Sequence, residues 1–244
     1  MTEDQVIKKL ISIASAEIGY MEKASNKNLD DKTANAGKGN FTKYARDLVN
    51  LIGSPYSQGA AWCDMFVDWC FIQTFGKDNA KKMLGGWSAY TPTSANFYKN
   101  AGRFFKSPSI GDQIFFKNSE RINHTGIVVN VSDTTVYTIE GNSSNMVQKR
   151  SYSKSDSKIA GYGRPNWSVV TTKEEPKTNQ WPIAAVEGVD ISDILDPNVF
   201  DVRKYRAAYK DLDSVFGDNW QMYYYHYKVI GKTEIETKQR PPFM

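Results

Sequence analysis

Trp62-Cys63-Asp64-Met65-Phe66-Val67-Asp68-Trp69-Cys70-Phe71-Ile72-Gln73-Thr74-Phe75 is apolar on almost every side, and Gly76 ends the run. A segment of this length that is hydrophobic all round reads as a buried helix. Asp64 and Asp68 are its only charges and lie one turn apart. Cys63 falls in the first turn, directly after the loop Gly53-Ser54-Pro55-Tyr56-Ser57-Gln58-Gly59. A thiol there meets the positive end of the helix and unpaired backbone N–H groups, which favour the thiolate. The same N–H groups are placed to receive an oxyanion. Taken alone, a buried cysteine is as readily core packing as chemistry. Cys70, two turns further on, reads as core filler. A bridge between the two is excluded by reach, since seven helical residues span about 10 Å and a disulfide at most about 7 Å.

Downstream, the periodicity changes. Gly111-Asp112-Gln113-Ile114-Phe115-Phe116-Lys117 reads as a strand entered from a turn, and His124-Thr125-Gly126-Ile127-Val128-Val129-Asn130-Val131 as a second. Thr135-Val136-Tyr137-Thr138-Ile139 is a third, ending at Glu140-Gly141-Asn142. Short strands separated by turn residues predict an antiparallel meander. In such a sheet the start of one strand lies beside the end of the next, which makes neighbours of His124 and Glu140, with Asn142 on the same parity as Glu140. The chain has only two histidines, so the choice of a base is narrow. A thiol, an imidazole and an acid or amide are what nucleophilic cysteine catalysis requires.

These stretches together resemble a CHAP domain, a papain-like cysteine amidase or peptidase module of bacterial and phage cell-wall hydrolases. The resemblance rests on Trp62-Cys63-x-x-Phe66-Val67-x-Trp69-Cys70, Gly111-Asp112-Gln113-Ile114-Phe115-Phe116, His124-Thr125-Gly126-Ile127-Val128 and Ile139-Glu140-Gly141-Asn142-Ser143. Ile159-Ala160-Gly161-Tyr162-Gly163-Arg164-Pro165 resembles the closing strand. It implies an α+β papain-like fold, with N-terminal helices packed on an antiparallel sheet. It also implies Cys63 as nucleophile, His124 as general base, and Glu140 and Asn142 as the groups that orient the ring, Glu140 the closer. For the oxyanion the backbone N–H of Cys63 is the first candidate donor and the Gln58 side chain a second. The implied substrate is an amide bond of peptidoglycan in a Gram-positive wall, either N-acetylmuramoyl-L-alanine or a peptide cross-link.

Some members of that family hold calcium on an acidic loop just before the nucleophile, but residues 48–62 contain no Asp or Glu. The nearest acids, Asp30 and Asp31, read as a solvated turn. Two Cys and two His give no zinc spacing. The expectation is therefore no metal and no cofactor.

Residues 1–165 carry 21 Lys and Arg against 15 Asp and Glu, whereas residues 166–244 carry 10 against 12. A basic catalytic half suits an anionic polymer such as teichoic acid. No nucleic-acid recognition motif is present, and no segment is long and apolar enough for a bilayer, so neither nucleic acid nor membrane is an expected partner. The sequence opens on acids and an amphipathic helix (Val6, Leu10, Ile11, Ile13, Ala14, Ile18) rather than a signal peptide. That start fits a phage endolysin released late to the wall, or a secreted protein trimmed of its signal.

The boundaries expected are a catalytic domain over 1–167, a polar linker over 168–189, and a small all-α module over 190–244. In the last, Phe200, Tyr205, Tyr209, Leu212 and Phe216 form a helical stripe stopped by Gly217, and Asp218 caps a second helix carrying Trp220, Tyr223, Tyr224, Tyr225 and Tyr227. Such rings stack on wall sugars in one reading and form a miniature core in the other. Two other function classes remain open: a binding module on a degenerate hydrolase fold, and a different cysteine acyl-transfer enzyme, transglutaminase-like or glutathionylspermidine amidase-like.

Overall fold

The structure is a computed structural model, which describes residues 1–171, 201–217, 220–239 and 241. Its chain separates into two compact units, residues 1–174 and 175–244.

The first unit is α+β, built on the apolar helix of the sequence. Five helices come first: α1 (Glu3–Ala16), α2 (Lys43–Leu51), α3 (Cys63–Phe75), α4 (Lys77–Leu84) and α5 (Thr91–Asn100). Every residue of α3 from Cys63 to Ile72 is buried, and Gly76, at φ 77°, ends it. It is enclosed by α1, α2 and α4 and by strands β3 and β4. α1 begins with a reciprocal cap in which Gln5 N–H donates to the Thr2 hydroxyl and Thr2 N–H to the Gln5 side chain. It turns Val6, Ile7, Leu10 and Ala14 inward.

Six strands follow: β1 (Phe104–Phe105), β2 (Gln113–Lys117), β3 (Ile122–Val131), β4 (Thr135–Ser143), β5 (Met146–Ser153) and β6 (Ile159–Gly163). They form one antiparallel sheet of order β1-β6-β2-β3-β4-β5. The meander expected for β2, β3 and β4 is its centre, and the closing strand pairs with β2. β5 was not anticipated: Gln148, Lys149 and Arg150 leave it little apolar alternation. The sheet contributes buried side chains to two apolar clusters. Phe115, Ile127, Ile139 and Val147 join the large core around α3, whereas Ile114, Phe116, Val128, Val136 and Tyr162 form a smaller cluster. Trp167 stacks on Phe71, with centroids 6.1 Å apart, and completes the large core.

Of the expected linker, residues 172–189 lie outside the described residues. In the second unit, helices α6 (Val202–Ala208), α7 (Asp213–Phe216), α8 (Trp220–His226) and α9 (Lys232–Glu236) surround Val202, Tyr205, Tyr209, Leu212, Tyr223 and Tyr224. The expected single helix down to Gly217 is broken at Tyr209 (φ −121°, ψ 71°) by a 3-10 turn over Lys210–Leu212. A straight helix would spread that stripe over about 1.5 Å per residue, and the break folds Tyr205, Tyr209 and Leu212 into one core. Phe200 and Asp218, named in the sequence reading, lie outside the described residues. No described helix is long and apolar enough to cross a membrane.

Gly141 shows how tightly α3 and β4 meet: a Cβ there would sit 2.4 Å from Cβ of Phe66 and 2.9 Å from the Trp62 ring. Gly141→Ala is expected to lower stability by about 1–3 kcal/mol through overpacking, read as a lower urea midpoint. An unchanged midpoint would contradict this close packing.

Candidate active site

Cys63 is the first residue of α3 and is 6% exposed. Trp62 precedes it as N-cap, and no side chain caps the helix. Phe66 N–H makes the first helical bond, to Trp62 O. The N–H groups of the first turn thus converge beside the thiol. Trp62 is itself fixed, its indole N–H donating to Glu22 Oε2 at 2.8 Å. Both cysteines are free thiols. Cys70 is wholly buried, and burial pushes its thiol well above the ordinary range.

His124 lies on β3 opposite Phe116 of β2 and stacks on that ring at 5.8 Å. Its Nε2 donates to Glu140 Oε2 at 2.8 Å. Glu140 reaches it from β4 because of a glycine. The register pairs Ile127 with Ile139, which sets Gly126 against Glu140, and a Cβ on Gly126 would lie 2.4 Å from the Glu140 Cγ. The Glu140 carboxylate is 1% exposed and accepts two further bonds, from Thr138 Oγ1 at 2.5 Å and Tyr152 Oη at 3.2 Å. A buried carboxylate needs such partners. Burial, more than the Glu140 charge, raises the Tyr152 phenol's pKa and keeps it a donor.

Burial by itself would lower the pKa of the His124 imidazole. The side chain of Cys63, and then Glu140, outweigh it by hydrogen bonding and charge and raise it from 6.5 to about 10. Both neighbours therefore favour the protonated form of the ring. The imidazole is hydrogen-bonded to thiol and carboxylate alike, the arrangement that nucleophilic cysteine chemistry uses.

Behind these groups runs a brace the sequence reading did not identify. Asp64, next to Cys63, accepts from Ser94 Oγ at 2.5 Å and from Gln113 Nε2 at 2.9 Å. Gln113 Nε2 also donates to Thr125 Oγ1 at 3.1 Å, and Thr125 is the neighbour of His124. Thr125 donates on to Ile114 O at 2.7 Å, and Tyr98 Oη donates to Gln113 Oε1 at 3.0 Å. Cys63 and His124 are thus tied together from the rear through buried side chains. Asp68, one turn along, accepts from Tyr56 Oη at 2.5 Å. Desolvation raises the pKa of both carboxyls, and the negative charge of Asp64 adds to the shift of Asp68. The signal available in sequence was polarity out of place: Asp64 and Gln113 interrupt runs that are otherwise core, and such groups must find partners.

Asn142 is not brought to the ring. β4 slips register against β5 between Glu140 and Ser143, and Asn142 takes φ 54° there, with no side-chain hydrogen bond among the described residues. The Gln58 amide is spent elsewhere, its Nε2 donating to Asn26 Oδ1 and Thr42 O and its Oε1 accepting from Thr42 N–H. Asp30 takes both guanidinium N–H groups of Arg46, and Asp31 accepts from Thr33 and Ala34 N–H.

Residues 55–142 match the CHAP domain family model. The chain carries a CHAP domain over these residues. The match encloses Cys63, His124, Glu140 and Asn142, and domains of this family are usually cysteine- and histidine-dependent amidases or peptidases. Among solved structures, one titled "The crystal structure of Ly7917" is similar, with 12% identity and a TM-score of 0.39; the alignment covers 66% of this chain and 62% of that one. No curated protein matches the chain.

The CHAP domain's ion pair has a definite pH signature. Because the folded His124 pKa lies above 6.5, its pairing contributes stability fully below that pH, and the contribution is lost as pH rises through about 10. NMR titration of the imidazole in Glu140→Gln should give a midpoint lower by at least about one pH unit. His226, held by Tyr205 in the second unit, serves as an internal control. A midpoint unmoved by the substitution would remove Glu140 as the ring's partner.

Proposed function

We propose that this CHAP domain hydrolyses an amide bond of peptidoglycan, with Cys63 as nucleophile, His124 as acid and base, and Glu140 holding the ring. The observation that carries it is the His124 imidazole hydrogen-bonded to both Cys63 and the buried Glu140 at the uncapped start of α3. Of the two ring-orienting candidates, the hydrogen bond favours Glu140.

The Cys63 thiolate attacks the carbonyl carbon, and the oxyanion accepts from N–H groups of the first turn of α3. The C–N bond breaks as the His124 imidazolium gives its proton to the departing amine. Neutral His124 then takes a proton from a water molecule that attacks the thioester. A carboxylic acid leaves and the thiolate–imidazolium pair is restored. Both the bond from sugar lactyl group to L-alanine and a peptide cross-link are amides that this sequence of steps cleaves.

Wall contact by residues 190–244 belongs to the same proposal, but the rings of Tyr205, Tyr209, Tyr223 and Tyr224 are buried within their own core. Sugar stacking therefore falls to other side chains of that unit.

Digestion of purified Gram-positive peptidoglycan, read by new amino groups and fragment mass, should show cleavage by the wild type and loss of at least about a thousandfold in Cys63→Ala. Intact stem peptides would mark an amidase, and cut stems or bridges an endopeptidase. A wild type that leaves every wall uncut would sink the hydrolase reading in favour of a binding module.

A further inference from the structure

A cavity of about 660 Å³ opens beside His124, the size of a small-ligand site. Phe116 and Tyr152 give it an aromatic side, with ring centroids 4.7 Å apart. Asn118 and Asn123 add amides, and Lys117 and Lys158 also line it. No acidic side chain lines it.

The two lysines are brought together by the sheet. Lys117 ends β2, and its N–H donates to Lys158 O at 2.8 Å, just ahead of β6. Both are exposed, and neither forms an ion pair among the described residues. That sets them apart from Lys43, Arg46 and Arg164, which are bound to Glu17, Asp30 and Asp112. Asp156 accepts the backbone N–H of Lys158 rather than its ammonium group. Asn118 uses its carbonyl oxygen on Glu120 and Arg121 N–H, so its amide N–H groups remain available as donors. The cavity thus offers two ammonium groups and amide donors to whatever enters.

Its position says which part of a substrate that is. His124 lines the cavity and no residue of α3 does. In an amide cleavage the acyl carbon sits over the start of α3 and the departing nitrogen sits at the imidazole, which protonates it. The chain attached to that nitrogen continues on the imidazole side.

Resting on the hydrolase reading above, we propose that this cavity is the leaving-group subsite and selects an acidic peptide, one with a free carboxylate within the first few residues after the scissile bond. The carboxylate lies between Lys117 and Lys158, while aliphatic parts cover Phe116 and Tyr152. A stem peptide released from the sugar has this chemistry, whereas a cross-bridge of neutral residues leaves both lysines unused.

The test uses the full chain and two soluble muramoyl peptides that differ only in whether the glutamyl residue carries a free or an amidated carboxylate. Wild type should favour the free acid by about tenfold in kcat/KM, the worth of two partly screened ion pairs. In Lys117→Ala/Lys158→Ala the preference should fall to near one, and in Lys117→Arg/Lys158→Arg it should persist. Equal rates on the two substrates in wild type, or a preference that survives the alanine pair, would overturn the charge assignment while leaving the hydrolase reading intact. A wild type inert on both peptides that still cuts cross-linked peptidoglycan would overturn this subsite and leave the hydrolase reading standing, whereas one inert on the peptides and on walls, yet alkylated at Cys63, would overturn both.

Discussion

The meeting of Cys63, His124 and Glu140 depends on two side chains that are missing. With a Cβ on Gly141, β4 would collide with Phe66 and Trp62, and the first turn of α3 would have to move off the sheet. With a Cβ on Gly126, Glu140 would lose the space its own stem occupies, and its carboxylate would no longer lie across β3 toward His124. One glycine sets the height of the helix above the sheet, the other the reach of the acid along it. Cys63 and His124 come from elements far apart in sequence, so their separation is set by backbone approach of this kind rather than by local structure.

Close approach leaves little room for water, and the groups near the site are chosen accordingly. Glu140 is almost fully buried and is held by three donors on three strands: Thr138 of β4, Tyr152 of β5 and His124 of β3. Asp64 is buried as well, and donors from α5 and β2 meet it. Removing one partner from such a group costs more than an ordinary hydrogen bond contributes, because the group left behind has no solvent to turn to. The polar residues that brace the site therefore also fix how α3, α5 and the sheet dock. Stability and the alignment of Cys63, His124 and Glu140 rest on the same contacts.

That coupling explains which parts could be read from the sequence. The apolar run after Trp62 announces a buried helix because nothing else buries a segment apolar on all sides. The β-branched runs announce the meander, and its antiparallel order alone makes neighbours of His124 and Glu140. Parity fails at Asn142, because parity assumes an unbroken ladder and β4 slips just past Glu140. It fails at Tyr209 for a related reason: a helical stripe is a local pattern, and the break that closes a small core is a tertiary demand. β5, with its exposed polar residues, has little pattern of its own and is held by pairing to β4. Gln113 and Thr125 were visible as polar residues inside strands, but only the fold shows that Asp64 is what they meet.

The charge on His124 also links the two halves of the proposed reaction. Its elevated pKa has two supports, Cys63 and Glu140. In the proposed reaction Glu140 stays in place throughout, whereas the attacking thiolate gives up its charge in forming the thioester. At that point one support is gone, burial still acts to lower the pKa, and the ring, having just given its proton to the amine, is held less firmly to a new one. It is then suited to take a proton from water. When the thioester is hydrolysed the thiolate returns, and the imidazolium is again the favoured form. The same burial that opposes protonation in the resting site thus assists the second step, and the nucleophile's own charge sets which role the imidazole plays.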